Sequence, residues 1–287
     1  GLDVLKAEKT AAITTFNTKE VGQSYLPMHS DVLTVMGLTP VKEEANGTKT
    51  HHLNWYKNNS SCVVSDTPTD GTHVTTVPDG VGKVIMTRSI SRVQFTSLKS
   101  NFTAQYAGVT FKIDSIYLAN VRNNATVMGE EDTEADYFRG GPVEFAVIQG
   151  LIDPEANVNA SFAKTYETPL VLSSESGELD ATALGFDKYI NANQPEYAEE
   201  DGYLTRLLIT GTLMDGDREL GKKYFHIPLK LVDDTGNVAS NKFFKISATI
   251  TGEGSPNPDE ILENACINFS IEVAPWNVVE QTEEDTN

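Results

Sequence analysis

The stretch that decides the fold is Asn241–Trp276, NKFFKISATITGEGSPNPDEILENACINFSIEVAPW. Phe244, Ile246, Ala248 and Ile250 are apolar at every second position, and Ala265, Ile267, Phe269, Ile271 and Val273 repeat the pattern after a turn-rich GEGSPNPD. Successive side chains of a strand point to opposite faces, so this period of two, bounded by Gly, Pro and Asn, predicts two strands that each turn one face into a core. Working outward, similar stretches occur at Val84–Leu98, Val109–Leu118, 143–149 (VEFAVIQ), 169–173 (PLVLS), 202–214 (GYLTRLLITGTLM) and 224–232 (YFHIPLKLV). Val109, Phe111 and Ile113 share one phase and Ile116 and Leu118 the other, so a bulge or a crossing between sheets is expected at Asp114–Ser115. The segments 213–224 and 232–243 are expected as hairpin loops. Strands do not alternate with long amphipathic helices, which excludes a parallel α/β design and leaves mostly antiparallel sheets in a sandwich.

Upstream, Asp3–Thr18 carries an approximate helical stripe through Leu2, Leu5, Ala12 and Phe16, with Asp3 placed to cap it. Val32, Leu33, Val35 and Met36 suggest one or two strands broken at Gly37. Residues 41–83 are polar and punctuated, with core material only at Trp55–Tyr56 and Cys62–Val64. This change of composition sets an expected boundary near Gly82, giving domains at 1–83 and 84–287. A short helix through Leu184, Phe186 and Tyr189 is expected within 177–193.

The 287 residues are 39% hydrophobic, enough for a sizeable core, and carry 22 Lys and Arg against 41 Asp and Glu, a formal charge of −19. Such a surface repels phosphate backbones and anionic lipid, and no basic cluster denser than Lys222–Lys223 offsets it, so nucleic-acid binding is not expected. No apolar run is long enough for a membrane-spanning helix. The start at Gly1–Leu2, without Met, is the one expected of a processed or engineered chain. Cys62 and Cys266, the two cysteines, stand far apart with no metal-ligand spacing around them, and each is expected as an inert thiol, Cys266 on the polar side of its strand.

No constellation points to catalysis or to a cofactor. His51 and His52 are adjacent and would face opposite sides of a strand, and no histidine has an acidic partner at a ligand offset. There is no GxSxG elbow, and the acidic segments at 130–136, 215–217 and 233–234 lack the spacing of a calcium loop. GEGS at 252–255 lacks the Gly-Lys-Ser/Thr of a phosphate loop and is expected as a plain turn. The expectation is a protein that is not an enzyme, with no cofactor and no metal. Aromatic pairs that could form a binding platform are Trp55–Tyr56 and Tyr197–Tyr203.

Two segments together resemble the Bacteroidetes fimbrillin family of type V pilus subunits. One is TRSISRVQFTSLKSNFTAQYAGVTFKIDSIYLANV, residues 87–121, in which a strand containing Arg88 and Arg92 leads to a strand ending in Tyr-Leu-x-Asn-Val. The other is the C-terminal order NKFFKI, TITGEGSPNP, an acidic turn and a strand closing on Trp276; LPMHS extends the likeness toward the start. The resemblance implies an all-β protein of two transthyretin-like antiparallel β-sandwich domains with a short helix in the N-terminal part. It also implies a lipoprotein precursor, carried to the outer membrane and cell surface, and proteolytic removal of an N-terminal strand. Other fimbrial subunits then add head to tail through a donor strand, and the fimbrium supports cell adhesion to a host or bacterial receptor. The membrane enters only through the precursor's lipid anchor. Gly1–Leu2 aligns inside the first domain of the resemblance, so the removable strand is expected to be absent from this sequence. The segment expected to carry polymerisation is Trp276, Val278, Val279 and Gln281, although only Val278 and Val279 of the acidic tail are apolar. The alternative expectation is a carbohydrate- or protein-binding sandwich adhesin that does not polymerise.

Overall fold

The computed structural model describes residues 26–30, 33–43, 49–57, 86–130, 137–141, 158–193, 204–229, 238–258 and 266–276. The helix expected at Asp3–Thr18 and the strand at 143–149 lie outside them. The chain divides into two compact units, Met28–Thr87 and a larger one of Gly1–Pro27 with Arg88–Asn287.

In the smaller unit, β1 (Met28–Ser30) pairs with β4 (Met86–Arg88), whose last residue, Arg88, belongs to the larger unit, and β2 (Leu33–Glu43) pairs with β3 (Lys49–Lys57) as an antiparallel hairpin. Strand β2 runs through Gly37 instead of stopping there. Its register against β3 shifts between Val35 and Leu38, so the irregularity at the glycine is absorbed as a bulge. His51 and His52 occupy adjacent positions of β3, opposite Pro40 and Thr39.

The larger unit opens with β5 (Ser91–Ser100), β6 (Val109–Ala119), β7 (Val121–Arg122) and β8 (Tyr137–Phe138). Next come β9 (Ala163–Ser173), β10 (Leu179–Asp180), the one-turn helix α1 (Ala181–Leu184) and β11 (Asp187–Ile190). The unit closes with β12 (Arg206–Asp215), β13 (Arg218–Pro228), β14 (Lys242–Ile250) and β15 (Ile267–Pro275). One sheet has the order β10–β5–β14–β15 with β11 also on β5, and the other the order β13–β12–β6–β9. Val93, Phe95, Phe244 and Ile246 from the first meet Phe111, Ile113, Ile209 and Phe225 from the second in one buried cluster. Phe111 and Phe225 touch edge to face, with centroids 5.2 Å apart. Each such side chain contributes roughly 1.5–3 kcal/mol by leaving water.

The alternation expected of β14 holds: Phe244, Ile246, Ala248 and Ile250 are all buried. The phase switch in β6 is a bulge, because Ser115 pairs with Thr210 and Ile113 with Gly211, leaving Asp114 between them. Past it, Ile116 and Leu118 point into the core, while Tyr117, Ala119 and Leu208 form a second small cluster on the outer face of that sheet. Burial on both faces explains why Leu207, Leu208 and Ile209 form a continuous apolar run.

Four expectations need correction. The central pair β5–β14 is parallel, running from Phe243 opposite Arg92 to Ile250 opposite Ser100 with one register shift between Ile246 and Ser247, so the sheets are not uniformly antiparallel. Residues 213–224 are not a loop. They belong to the β12–β13 hairpin, whose turn is only Gly216–Asp217, with Gly216 at φ 59° in the first turn position. Their polar residues alternate along strands that reach the rim of the sandwich. Phe269 is 43% exposed, and Ile267, Ile271 and Val273 are only half-buried, because β15 is an edge strand covered from one side. Cys266 precedes β15 and rests half-buried on the core as a free thiol.

The Asn of the Tyr-Leu-x-Asn-Val stretch has a structural role. Asn120, at φ 56°, ends β6 in the left-handed region that asparagine tolerates best after glycine. Its carbonyl accepts from Thr205 Oγ1 at 2.7 Å and from Asn193 Nδ2 at 3.2 Å, and its own Nδ2 donates to the Leu204 carbonyl.

Candidate assembly site around Trp276

Trp276 follows the last residue of β15, and four contacts hold it. Its backbone N–H donates to the Asn241 carbonyl at 3.2 Å, and its own carbonyl accepts from Arg88 Nη1 at 3.1 Å. The indole stacks on Tyr189 with centroids 5.8 Å apart and planes 20° from parallel, and the Arg88 guanidinium lies 4.5 Å from its centroid. Asn241, itself at φ 56°, donates its N–H to the Ile90 carbonyl. The chain leaving β15 therefore turns across the ends of β14 and β5 toward β11, and the aromatic and cationic contacts fix its direction.

Beside this clamp, Arg92 forms a forked pair with Asp187, with Nε to Oδ1 at 2.9 Å, and its guanidinium covers the Phe243 ring at 4.6 Å. The Asp187 hydrogen bond holds the Arg92 pKa above its ordinary value. Further along the same sheet face, Ser97, Lys99, Ser247, Thr249, Asn268 and Ser270 line a shallow recess of about 240 Å³.

Of the residues assigned from sequence, Trp276 is thus anchored in the sandwich. Val278, Val279 and Gln281 lie outside the described residues, as do Tyr197 and Tyr203 of the expected aromatic platforms. Trp55 and Tyr56 sit in β3, paired with Val35 and Thr34. Sequence reasoning missed Tyr189 and Asn241 as partners of Trp276, and it noted Arg88 only within a family likeness. Arg88 and Trp276 are 188 positions apart, and no local pattern links them. The clamp is a binding arrangement with no nucleophile and base in contact, and among the described residues no group of three His, Cys, Asp or Glu side chains could hold a metal ion. GEGS at 252–255 is a loop clipped to β13 by reciprocal Tyr224–Ser255 backbone bonds.

No family model matches the chain, and no curated protein matches it. Solved structures do. FimA, a fimbrilin from Porphyromonas gingivalis W83, aligns with 70% of this chain and 62% of its own at TM-score 0.54 and 19% identity. The fold is the fimbrillin fold. A candidate cell adhesion protein from Parabacteroides distasonis ATCC 8503 shares it over 96% of this chain and 77% of that one, at TM-score 0.58 and 16% identity. The chain spans less than two thirds of the FimA chain it matches. Within this fimbrillin fold, β15 is an edge strand, and among the described residues its outer side pairs with no other strand. Unpaired backbone groups beside a half-exposed Phe269 are the features that let a sheet accept another strand.

Proposed function

We propose that this protein is a structural subunit of a bacterial surface fimbria that assembles by strand donation and supports adhesion. The observation that carries the proposal is the fold shared with a fimbrilin over most of the chain. The clamp on Trp276 adds to it by giving residues 277–287 a fixed point of departure. In this reading Val278, Val279 and Gln281 belong to the donated strand, and the chain comprises two domains at 1–83 and 84–287. The precursor is a lipoprotein delivered to the outer membrane, and the partners are other fimbrial subunits. A donated strand satisfies backbone groups of a neighbour's open sheet, and repetition of this head-to-tail contact builds a filament. Deleting 277–287 is expected to abolish polymers seen by negative-stain microscopy while leaving the monomer's unfolding transition in place; unchanged polymers would remove the assignment.

The recess lined by serine, threonine and asparagine supports a second reading, a sandwich that binds a surface carbohydrate or protein without polymerising. Glycan-array binding by the monomer, together with an absence of SDS-resistant ladders, would favour it.

A further inference from the structure

The edge strands of the larger unit are not equally protected. β9 carries the exposed Lys164 and Glu167, a proline at 169, and a register jump from Thr165 to Leu170 against β6, all of which blunt an edge against further pairing. β13 is clipped at Tyr224 by the loop through Ser255. β15 is the open one. Its nine residues hold a single charge, Glu272, and its ladder with β14 runs unbroken from Pro275 opposite Lys242 to Ile267 opposite Ile250.

The bonds at the two ends of this ladder fix which backbone groups face outward. The Thr251 N–H donates to the Cys266 carbonyl at 2.8 Å, and the Trp276 N–H to the Asn241 carbonyl at 3.2 Å. Each bond joins residues one step beyond an end of the ladder. Bonded and non-bonded positions alternate along an antiparallel pair, so Asn268, Ser270, Glu272 and Ala274 use their N–H and C=O on β14. Ile267, Phe269, Ile271 and Val273 therefore turn theirs to the open side, and Pro275, at the end of this row, has no N–H to present. The same four residues form the core-facing row of the strand, opposite Ile250, Ala248, Ile246 and Phe244, and Phe269 among them is 43% exposed.

This row is its own complement. When it is laid antiparallel on a second copy about a twofold axis at Ser270, Ile267 meets Val273 and Phe269 meets Ile271, and each such pair exchanges two backbone hydrogen bonds. The side chains match as well. Phe269 is covered by Ile271 of the second copy, Ser270 faces Ser270, and Glu272 faces Asn268, so no like charges are opposed. Residues 277–287 of the same chain suit the edge less: they have no apolar alternation, and the turn at Trp276 leads away from it, toward β11 at the far side of the sheet. We propose that β15 is a dimerisation edge, pairing antiparallel with β15 of a second copy of this chain about a twofold axis at Ser270. The contact closes on itself, so it joins two subunits side by side, and it uses no residue of the segment assigned to strand donation.

Single cysteines test the register on the full chain, with Cys62 and Cys266 changed to serine and the unfolding midpoint checked. At about 0.5 M salt, which screens the repulsion between two chains of charge −19, Ser270→Cys is expected to give a disulfide dimer on a non-reducing gel. Its two Cα atoms face each other at about 4.5 Å, as in a non-hydrogen-bonded pair. Asn268→Cys is expected to stay monomeric on the same gel, because its two copies stand about 13 Å apart along the strands, beyond the reach of a disulfide. With the native cysteines in place and reduced, sedimentation equilibrium reads the affinity. Ser270→Lys is expected to weaken the dimer roughly tenfold by opposing two ammonium groups, whereas Asn268→Lys adds the same charge opposite Glu272 and is expected not to weaken it. Both positions are exposed in the single chain, so neither change disturbs the core. A chain that stays monomeric at every soluble concentration, equal cross-linking at 268 and 270, or equal weakening by the two lysines overturns the proposal. So does a dimer lost on deletion of 277–287, which would give the edge to the tail. Polymers that survive that deletion would defeat the donation reading and leave the Ser270→Cys disulfide untouched, so the two failures are distinguishable.

Discussion

Trp276→Ala removes the side chain of the clamp and leaves its main chain. The indole loses the Tyr189 stack, worth about 0.5–1.5 kcal/mol. It also loses the Arg88 contact, worth about 0.5–1 kcal/mol at a half-exposed site. Full truncation of a buried aromatic costs about 3–5 kcal/mol, and the half-buried Trp276 falls below that range. The bonds to Asn241 and from Arg88 use the backbone of Trp276, so they survive in principle. The expected loss is about 2–3 kcal/mol, a fall in Tm of roughly 5–10 °C for a unit of this size. Urea unfolding followed by circular dichroism gives the energy, and hydrogen exchange at the Trp276 amide reports whether the chain end has come free. Trp276→Phe keeps a ring for both partners and is expected to cost about 1 kcal/mol. A loss below about 0.5 kcal/mol in the alanine variant, with the amide still protected, would refute the clamp.

His226 is buried beside Arg206, and burial chiefly, then that cation, lowers its pKa from 6.5 to about 4. Between these values the unfolded chain binds the extra proton. Stability from this group is therefore complete above pH 6.5 and is lost as pH falls toward 4, by roughly 3 kcal/mol. His226→Gln is expected to flatten urea midpoints over that window, and an unchanged slope would show that another group is responsible. Gly211→Ala places a methyl 2.2 Å from the Lys112 carbonyl oxygen at the β6 bulge and is expected to cost about 2–3 kcal/mol by thermal unfolding. Phe269→Ala is expected to cost under about 1 kcal/mol, whereas Phe95→Ala, fully buried, costs about 3–5 kcal/mol. Equal losses in the two would mean that β15 is covered.

Residues whose environment is set by near neighbours were readable. Alternation located β14, the phase switch at Asp114 located the bulge in β6, and Asp-Gly-Asp at 215–217 located a hairpin turn. Two things were not readable. The exposure of Phe269 depends on its strand standing at the edge of a sheet, and its own alternation is the same wherever the strand stands. The length of β12 and β13 was masked by charged residues, which a rim-reaching strand tolerates as well as a loop does. At the candidate site Trp276 was legible because it closes an apolar alternation. Its partners Arg88, Tyr189 and Asn241 come from three separate parts of the chain, and only the folded topology brings them together.

The parallel pairing of β5 with β14 has a consequence for delivery of the chain. The Thr96 hydroxyl bonds the Ile246 carbonyl across 150 positions, and the whole second sheet is built from residues between the two strands. A chain emerging N-terminus first, from a ribosome or an export pore, presents β5 long before β14 exists to flank it. Until then one side of β5 is open and the core face of its sheet is incomplete. Contacts so distant in sequence make folding slow, and an open strand invites wrong pairing meanwhile. For a chain made this way, the core of the larger unit is completed only in a late step, when the stretch from Lys242 onward arrives.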